Sequence, residues 1–418
     1  MDTVRMKKIE EYARLLVEIG LNVQQNQTLV ISCPVDAAWF ARMCAKAAYD
    51  VKCREVVVDW SDDILSREKY LRANDEIFDC FPTWRKDCLE SYAKQGAARL
   101  AIYATDPENL KGVDTDRLLR MSRVSGQALQ EYSRLQMANA FPWCVASIPI
   151  ASWAKKVFPG AEEEQAMEQL WDAILDSVRI TGDGKAVERW KAHDQLLHER
   201  MQKLNEMRLC SLHYTNALGT DLTIRLPEDH LWSGGSCEAG TGQTFIANMP
   251  TEELFTAPLK TGINGVVYAS RPLVCGGNLV KNFHFVIRDG KIVEAHAEQG
   301  EEFLKTEISV DEGASYFGEV ALVPYDSPIS NQKLLYFNTL FDENASCHLA
   351  FGDAYPECLK GGNEMSPEQL QAHGLNHSDV HEDFMIGTPD LRIVGTDREG
   401  REIPIFENGN FCSLERKD

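Results

Sequence analysis

No stretch of the chain approaches the ~20 continuous apolar residues that a membrane-spanning helix needs, so no membrane partner is expected. The start, Met1-Asp-Thr-Val-Arg-Met-Lys-Lys, lacks the apolar core of a secretion signal, and the cytoplasm is the expected location. Cysteine is plentiful, at 12 residues, but clustered cysteine is absent: the residues lie singly from Cys33 to Cys412 with no C-x-x-C pair. That pattern excludes a thiolate zinc site and the framework of a small disulfide-bonded domain. Positive charge is in deficit. A net charge of −21 argues against nucleic-acid binding, which rests on an excess of Lys and Arg. Neither G-x-G-x-x-G nor G-x-x-x-x-G-K-[ST] occurs, so no glycine cradle for phosphates is present. The turn Ser32–Asp36 therefore reads as structural rather than nucleotide-binding. The absence of G-x-S-x-G removes the simplest serine-hydrolase reading. Low-complexity segments and internal repeats are also missing.

What is present is ordinary globular material: 418 residues, 44% hydrophobic and 26% charged, enough for two domains with cores. Ile9, Tyr12, Leu15, Leu16 and Ile19 recur at helical spacing and predict an amphipathic helix over residues 7–24. Gln27–Cys33 and Glu55–Trp60 read as buried strands around a helix from Ala37, with Asp36 as its expected cap. Strand, helix and strand within about 30 residues make a βαβ unit and hence parallel strands. The alternation continues through a helix at Pro82–Gln95, a strand at Arg99–Ala104, a helical stretch over Asp114–Ala140 and a strand at Trp143–Pro149. Helices over Glu162–Val178 and Ala186–Met207 close this half.

From Leu209 the pattern changes. Asn216-Ala-Leu-Gly-Thr-Asp, Arg288-Asp-Gly-Lys and Asp397-Arg-Glu-Gly-Arg-Glu are tight-turn sequences between apolar runs. Strands are expected at Asp221–Leu226, Gly265–Leu273, Leu279–Ile287 and Leu391–Val394, with one helix at Asn338–Leu349. The fold class follows: an α/β N-terminal domain over 1–205, with an open, mainly parallel sheet, then a β-rich α+β domain over 206–418.

The chemistry gathers in the second half. In His381-Glu-Asp-Phe-Met-Ile-Gly387, an extended His-x-Asp puts His381 and Asp383 on one side of a strand, a compact pair for a divalent ion. In Asp342-Glu-Asn-Ala-Ser-Cys-His348, Glu343 and His348 are five apart, so a bend or helix end must bring them together. Glu252 and Glu253 sit in a turn-rich segment. Glu319 heads an apolar strand, where burial is costly unless the carboxylate is paired or metal-bound. Taken singly, each of these signals is weak, and a solvent-facing carboxylate is the simpler reading of Glu319. His193, His198, His213, His230, His284, His296, His373 and His377 read as surface or packing residues.

Four segments stand out together: Asn248-Met-Pro-Thr-Glu-Glu-Leu-Phe-Thr256, Gly318-Glu-Val-Ala-Leu-Val323, Phe341-Asp-Glu-Asn-Ala-Ser-Cys-His-Leu-Ala-Phe-Gly352 and His377-Ser-Asp-Val-His-Glu-Asp-Phe-Met-Ile-Gly387. In order and spacing they resemble the aminopeptidase T, aminopeptidase S and PepS family of metallopeptidases. The resemblance implies a dinuclear site of Glu253, Glu319, Glu343, His348, His381 and Asp383, with Tyr355 acting nearby. It implies two divalent ions, zinc or cobalt ahead of magnesium or manganese, and a homodimer acting on peptides with a free N-terminus. Like that family, the chain lacks H-E-x-x-H. Glu319 is expected to bridge the ions and Tyr355 to donate to the oxyanion, with Glu253 also catalytic. Glu252 and Glu382 are candidates for a supporting role or for the base. An amidase or deacylase on small molecules, or a peptide-binding protein without turnover, are the alternative readings.

Overall fold

The computed structural model describes residues 2–275 and 278–413. It contains two compact units, Met1–Ala192 with Ser236–Pro250, and His193–Gly235 with Thr251–Asp418.

The first unit is built on a four-stranded sheet in the order Glu55–Ser61, Thr28–Pro34, Ala98–Tyr103, Trp143–Ser147, with every pairing parallel. Helices accompany it, as the alternating pattern requires. The opening helix, Thr3–Leu15, buries Ile9, Tyr12, Ala13 and Leu15, then widens over Leu16–Gly20 instead of continuing to residue 24. Asp36 does not cap the next helix: a 3₁₀ turn at Val35–Ala37 leads into Ala38–Asp50, and the Val35 carbonyl takes the Ala38 N–H. The long helical stretch breaks into Thr115–Ala128 and Gln130–Met137. A helix at Asp63–Arg72 escaped the sequence reading because none of its residues is buried, so it has no apolar stripe to reveal it.

The second unit holds a nine-stranded sheet and a four-stranded one, antiparallel throughout. The Asp-Gly turn behaves as its sequence demands. Asp289 and Gly290 adopt φ of 49° and 82°, joining Asn278–Arg288 to Lys291–Gln299 in a two-residue hairpin. The expected strand over Gly265–Leu273 is two separate strands, Ile263–Tyr268 and Leu273–Cys275.

The smaller sheet runs in the order His381–Met385, His348–Gly352, Phe317–Leu322, Leu254–Thr256. One of its faces is apolar. Leu254, Val320, Leu322, Leu349, Phe351 and Phe384 point into a shared core with the larger sheet. The ring of Phe384 meets Phe285 edge-to-face at 5.2 Å and Phe283 at 5.7 Å. Each such side chain contributes roughly 1.5–3 kcal/mol by leaving water. This packing fixes the sheet, and the sheet fixes whatever stands on its other face.

Candidate metal centre

Strand alternation sends residues between those core positions to the opposite face. Across the sheet, Glu319 pairs with Ala350, and Ala350 with Asp383, so the two carboxylates flank a methyl group in one row. His348 lies two residues from Ala350, and His381 two residues from Asp383, on the same face. Ala350 therefore matters by being small: its side chain leaves the space between the carboxylates open.

One irregularity makes this possible. Phe317 opposes Phe351 and Glu319 opposes Ala350, so Gly318 is an extra residue that shifts the register. Without that bulge, Phe317 and Glu319 would share a face; with it, Phe317 joins the core and Glu319 faces away. A Cβ on Gly318 would lie 1.9 Å from the Asp353 carbonyl oxygen, so the bulge fits only glycine.

The expected helix over Asn338–Leu349 is cut short. It covers Thr339–Asp342, passes through a 3₁₀ turn at Glu343–Ala345, and gives way to the strand starting at His348. That helix end supplies the bend that Glu343 and His348 require. Five of the six expected ligands come together on one side of the sheet, with Glu343 near enough to feel their charges. His348 Nε2 lies 3.2 Å from Glu253 Oε2, 3.6 Å from Glu319 Oε1 and 4.0 Å from Asp383 Oδ1. His381 Nε2 lies 3.3 Å from Glu319 Oε2 and 3.6 Å from Asp383 Oδ1. Two sets of potential ligand atoms result, Glu253–Glu319–His348 and Glu319–His381–Asp383, each with its atoms within 4.8 Å of one another. Glu319 belongs to both. Glu343 stands outside these tight sets but is buried and repelled by the charges of Asp383 and Glu253.

Both imidazoles are held for ligation. The Nδ1–H of His348 donates to the Ser346 carbonyl at 3.0 Å, and that of His381 to the Asp353 carbonyl at 2.8 Å. A carbonyl only accepts, so Nδ1 carries a proton and Nε2 is the atom turned toward the carboxylates, free to ligate once its own proton is displaced.

The electrostatics call for a cation. Glu319 is 5% exposed and His348 1%. Burial raises the proton affinity of Glu343 well above the usual carboxylate range, and the charges of Asp383 and Glu253 raise it further. Glu253 is likewise raised by burial, against the opposing hydrogen bond from His348. For Glu319, the hydrogen bonds from His348 and His381 outweigh burial and hold it low. Burial works against charge on both histidines, yet their carboxylate neighbours raise them well above the ordinary histidine value. Were all four carboxylates ionised, they would exceed even two charged imidazoles, an imbalance that is costly in a buried site. Asp383 Oδ1 is buried and makes no hydrogen bond among the described residues. A carboxylate oxygen without a hydrogen bond, amid nitrogen and oxygen ligands, fits a divalent metal ion.

Tyr355 closes one side, its ring edge-on to His381 at 5.1 Å and to Phe255 at 5.7 Å. Burial holds its hydroxyl well above the ordinary phenol value, reinforced by the charges of Glu319 and Asp383. Glu252 and Glu382 point elsewhere. Glu252 approaches His193 at 3.6 Å, a histidine that sequence reading assigned to packing. Glu382 opposes Phe351, and burial lifts its carboxyl to about 7, with Cys275 as its hydrogen-bonding neighbour. Sequence reading missed Gly318, Ala350 and Asn344. Only Gly318 left a signal, as a glycine inside a strand pattern.

Residues 5–411 match the family described as thermophilic metalloprotease (M29). The chain belongs to that family. It is 45% identical to aminopeptidase AmpS of Bacillus subtilis over 97% of this chain and 98% of that protein. It is 41% identical to aminopeptidase 2 of Geobacillus stearothermophilus, with the same coverage of 97% and 98%. The solved structure of wild-type AmpT from Thermus thermophilus superimposes with a TM-score of 0.91 at 37% identity, covering 97% of this chain and 99% of that one. For this M29 metallopeptidase, a catalytic metal and peptide substrates follow from the family. The described residues contain no helix long and apolar enough to cross a membrane.

Proposed function

We propose that Glu253, Glu319, Glu343, His348, His381 and Asp383 hold two divalent ions, and that this metallopeptidase releases single residues from free peptide N-termini. The observation that carries the reading is Glu319, whose two oxygens face different imidazoles, Oε1 toward His348 and Oε2 toward His381. It is the one residue in both ligand sets and hence the natural bridge. The aminopeptidase names of the relatives support the exopeptidase reading.

When bound, a metal pair supplies a water acidified toward hydroxide and a Lewis acid for the scissile carbonyl. The chain supplies the rest. The pinned Nδ1–H groups keep both imidazoles aimed, with Nε2 toward the carboxylates. Glu253, beside His348, is the candidate to carry a proton from the attacking water to the departing amine. Tyr355 stays protonated and can donate its O–H to the carbonyl oxygen as charge develops there. The excess of carboxylates attracts the α-ammonium of a chain end, which an internal peptide bond lacks.

Zinc or cobalt suits this mixed nitrogen and oxygen set better than magnesium or manganese, which favour all-oxygen ligands. The family resemblance supports a homodimer. The test uses metal-free protein with free and N-acetylated peptides, with and without zinc or cobalt. Release of single residues only from free N-termini, restored by metal and lost in Glu319→Gln, is the expected result. Equal cleavage of N-acetylated peptides would point to a general amidase, and binding without release under every metal to a peptide-binding protein.

A further inference from the structure

We infer that Asn344 is a positioning residue that locks two ligand-bearing segments of the centre, those of Glu253 and Glu343, into a single arrangement. The inference rests on the ligand assignment above.

Asn344 is fully buried, in the 3₁₀ turn between the short helix and the His348 strand. Its Oδ1 accepts the Glu252 N–H at 2.8 Å, across 92 residues of sequence. Its Nδ2 donates to the Leu340 carbonyl at 2.9 Å and to Glu343 Oε1 at 3.3 Å. The amide has no alternative orientation. A backbone N–H can only donate and a backbone carbonyl only accept, so a flipped Asn344 would place like against like on both sides. Both N–H donors and one of the two Oδ1 lone pairs are therefore used inside the protein.

The consequence for the site is geometric. The Glu252 N–H belongs to the peptide one step before Glu253, so fixing it fixes the approach of that ligand to His348. The same peptide is held at its other end, since His193 Nε2–H donates to the Thr251 carbonyl at 2.8 Å. At its other end the same amide steadies the Glu343 carboxylate, which stands outside the tight ligand sets and needs a separate hold. No other side-chain type does both jobs. Aspartate loses the donors and adds a charge beside Glu343, leucine keeps the volume and loses all three bonds, and glutamine is too long for the turn.

The test compares wild type, Asn344→Leu, Asn344→Ser and Glu319→Gln, each metal-free and titrated with cobalt(II), following the cobalt absorption spectrum. Circular dichroism confirms folding. Removing such a supporting hydrogen bond weakens metal affinity by about 10–100-fold. We expect that loss in Asn344→Leu, with an altered cobalt spectrum, while activity recovers in part at saturating metal. Should the leucine variant fail to fold, Asn344→Ser, whose short hydroxyl cannot span both partners, carries the same expectation. Wild-type cobalt affinity and spectrum in a folded Asn344 variant, with binding lost in Glu319→Gln, would overturn the positioning role alone. Unchanged binding in Glu319→Gln would instead overturn the ligand assignment.

Discussion

At the scale of single residues, the centre is a competition between protons and metal. In the metal-free chain, His348 and His381 are raised well above the ordinary histidine value, and Glu253 and Glu343 above the ordinary carboxylate value. A group raised in the folded state lends stability that is complete below its unfolded pKa and disappears as pH climbs through its folded one. Glu319 is lowered and acts in the opposite sense, its contribution lost only toward acid. Chelated protein should therefore lose thermal stability as pH rises from the ordinary histidine value into the alkaline range, and added zinc should abolish that decline. Melting temperatures from about pH 6 to pH 9, with and without metal, decide it; a flat or rising chelated curve would contradict the assignment. Because the ligands must shed protons to bind metal, uptake should also release protons, visible as a buffer-dependent heat in calorimetry.

At the scale of elements, the sheet serves two purposes through its two faces, and each can be disturbed separately. Leu349→Ala, on the core side, should destabilise the protein by about 2–5 kcal/mol in denaturant melts while the folded fraction keeps its specific activity. Gly318→Ala should do the reverse. Its Cβ meets the Asp353 carbonyl, so the bulge must open and Glu319 must turn. A stability loss of about 1–3 kcal/mol is expected, with metal affinity and activity falling far more than in Leu349→Ala. The same contrast shows what was legible beforehand. Strands with apolar alternation, the Asp289-Gly290 turn and the His-x-Asp pair were readable because local sequence determines them. The helix over Asn338–Leu349 was misread at its end because apolar residues at Leu349 and Phe351 suit a buried strand as well as a helix. Ala350 and Asn344 gave no signal at all, since an alanine or asparagine acquires meaning only from distant partners.

At the scale of the whole molecule, family membership says that a catalytic metal is present, while geometry says what that metal does for the fold. An ion bound only by the native state stabilises it by mass action, roughly 2.7 kcal/mol at a free concentration 100 times its dissociation constant. Chelation should therefore lower the melting temperature and re-addition restore it, an effect absent from Glu319→Gln. The assignment of Ser236–Pro250 to the first unit left no signal in the sequence, because it follows no shift in composition. The proposed ligands, by contrast, come from well-separated stretches of sequence, Glu253, Glu319, Glu343 to His348, and His381 to Asp383. On that assignment the set is incomplete until Asp383 has left the ribosome, so an unfinished copy would lack a working centre.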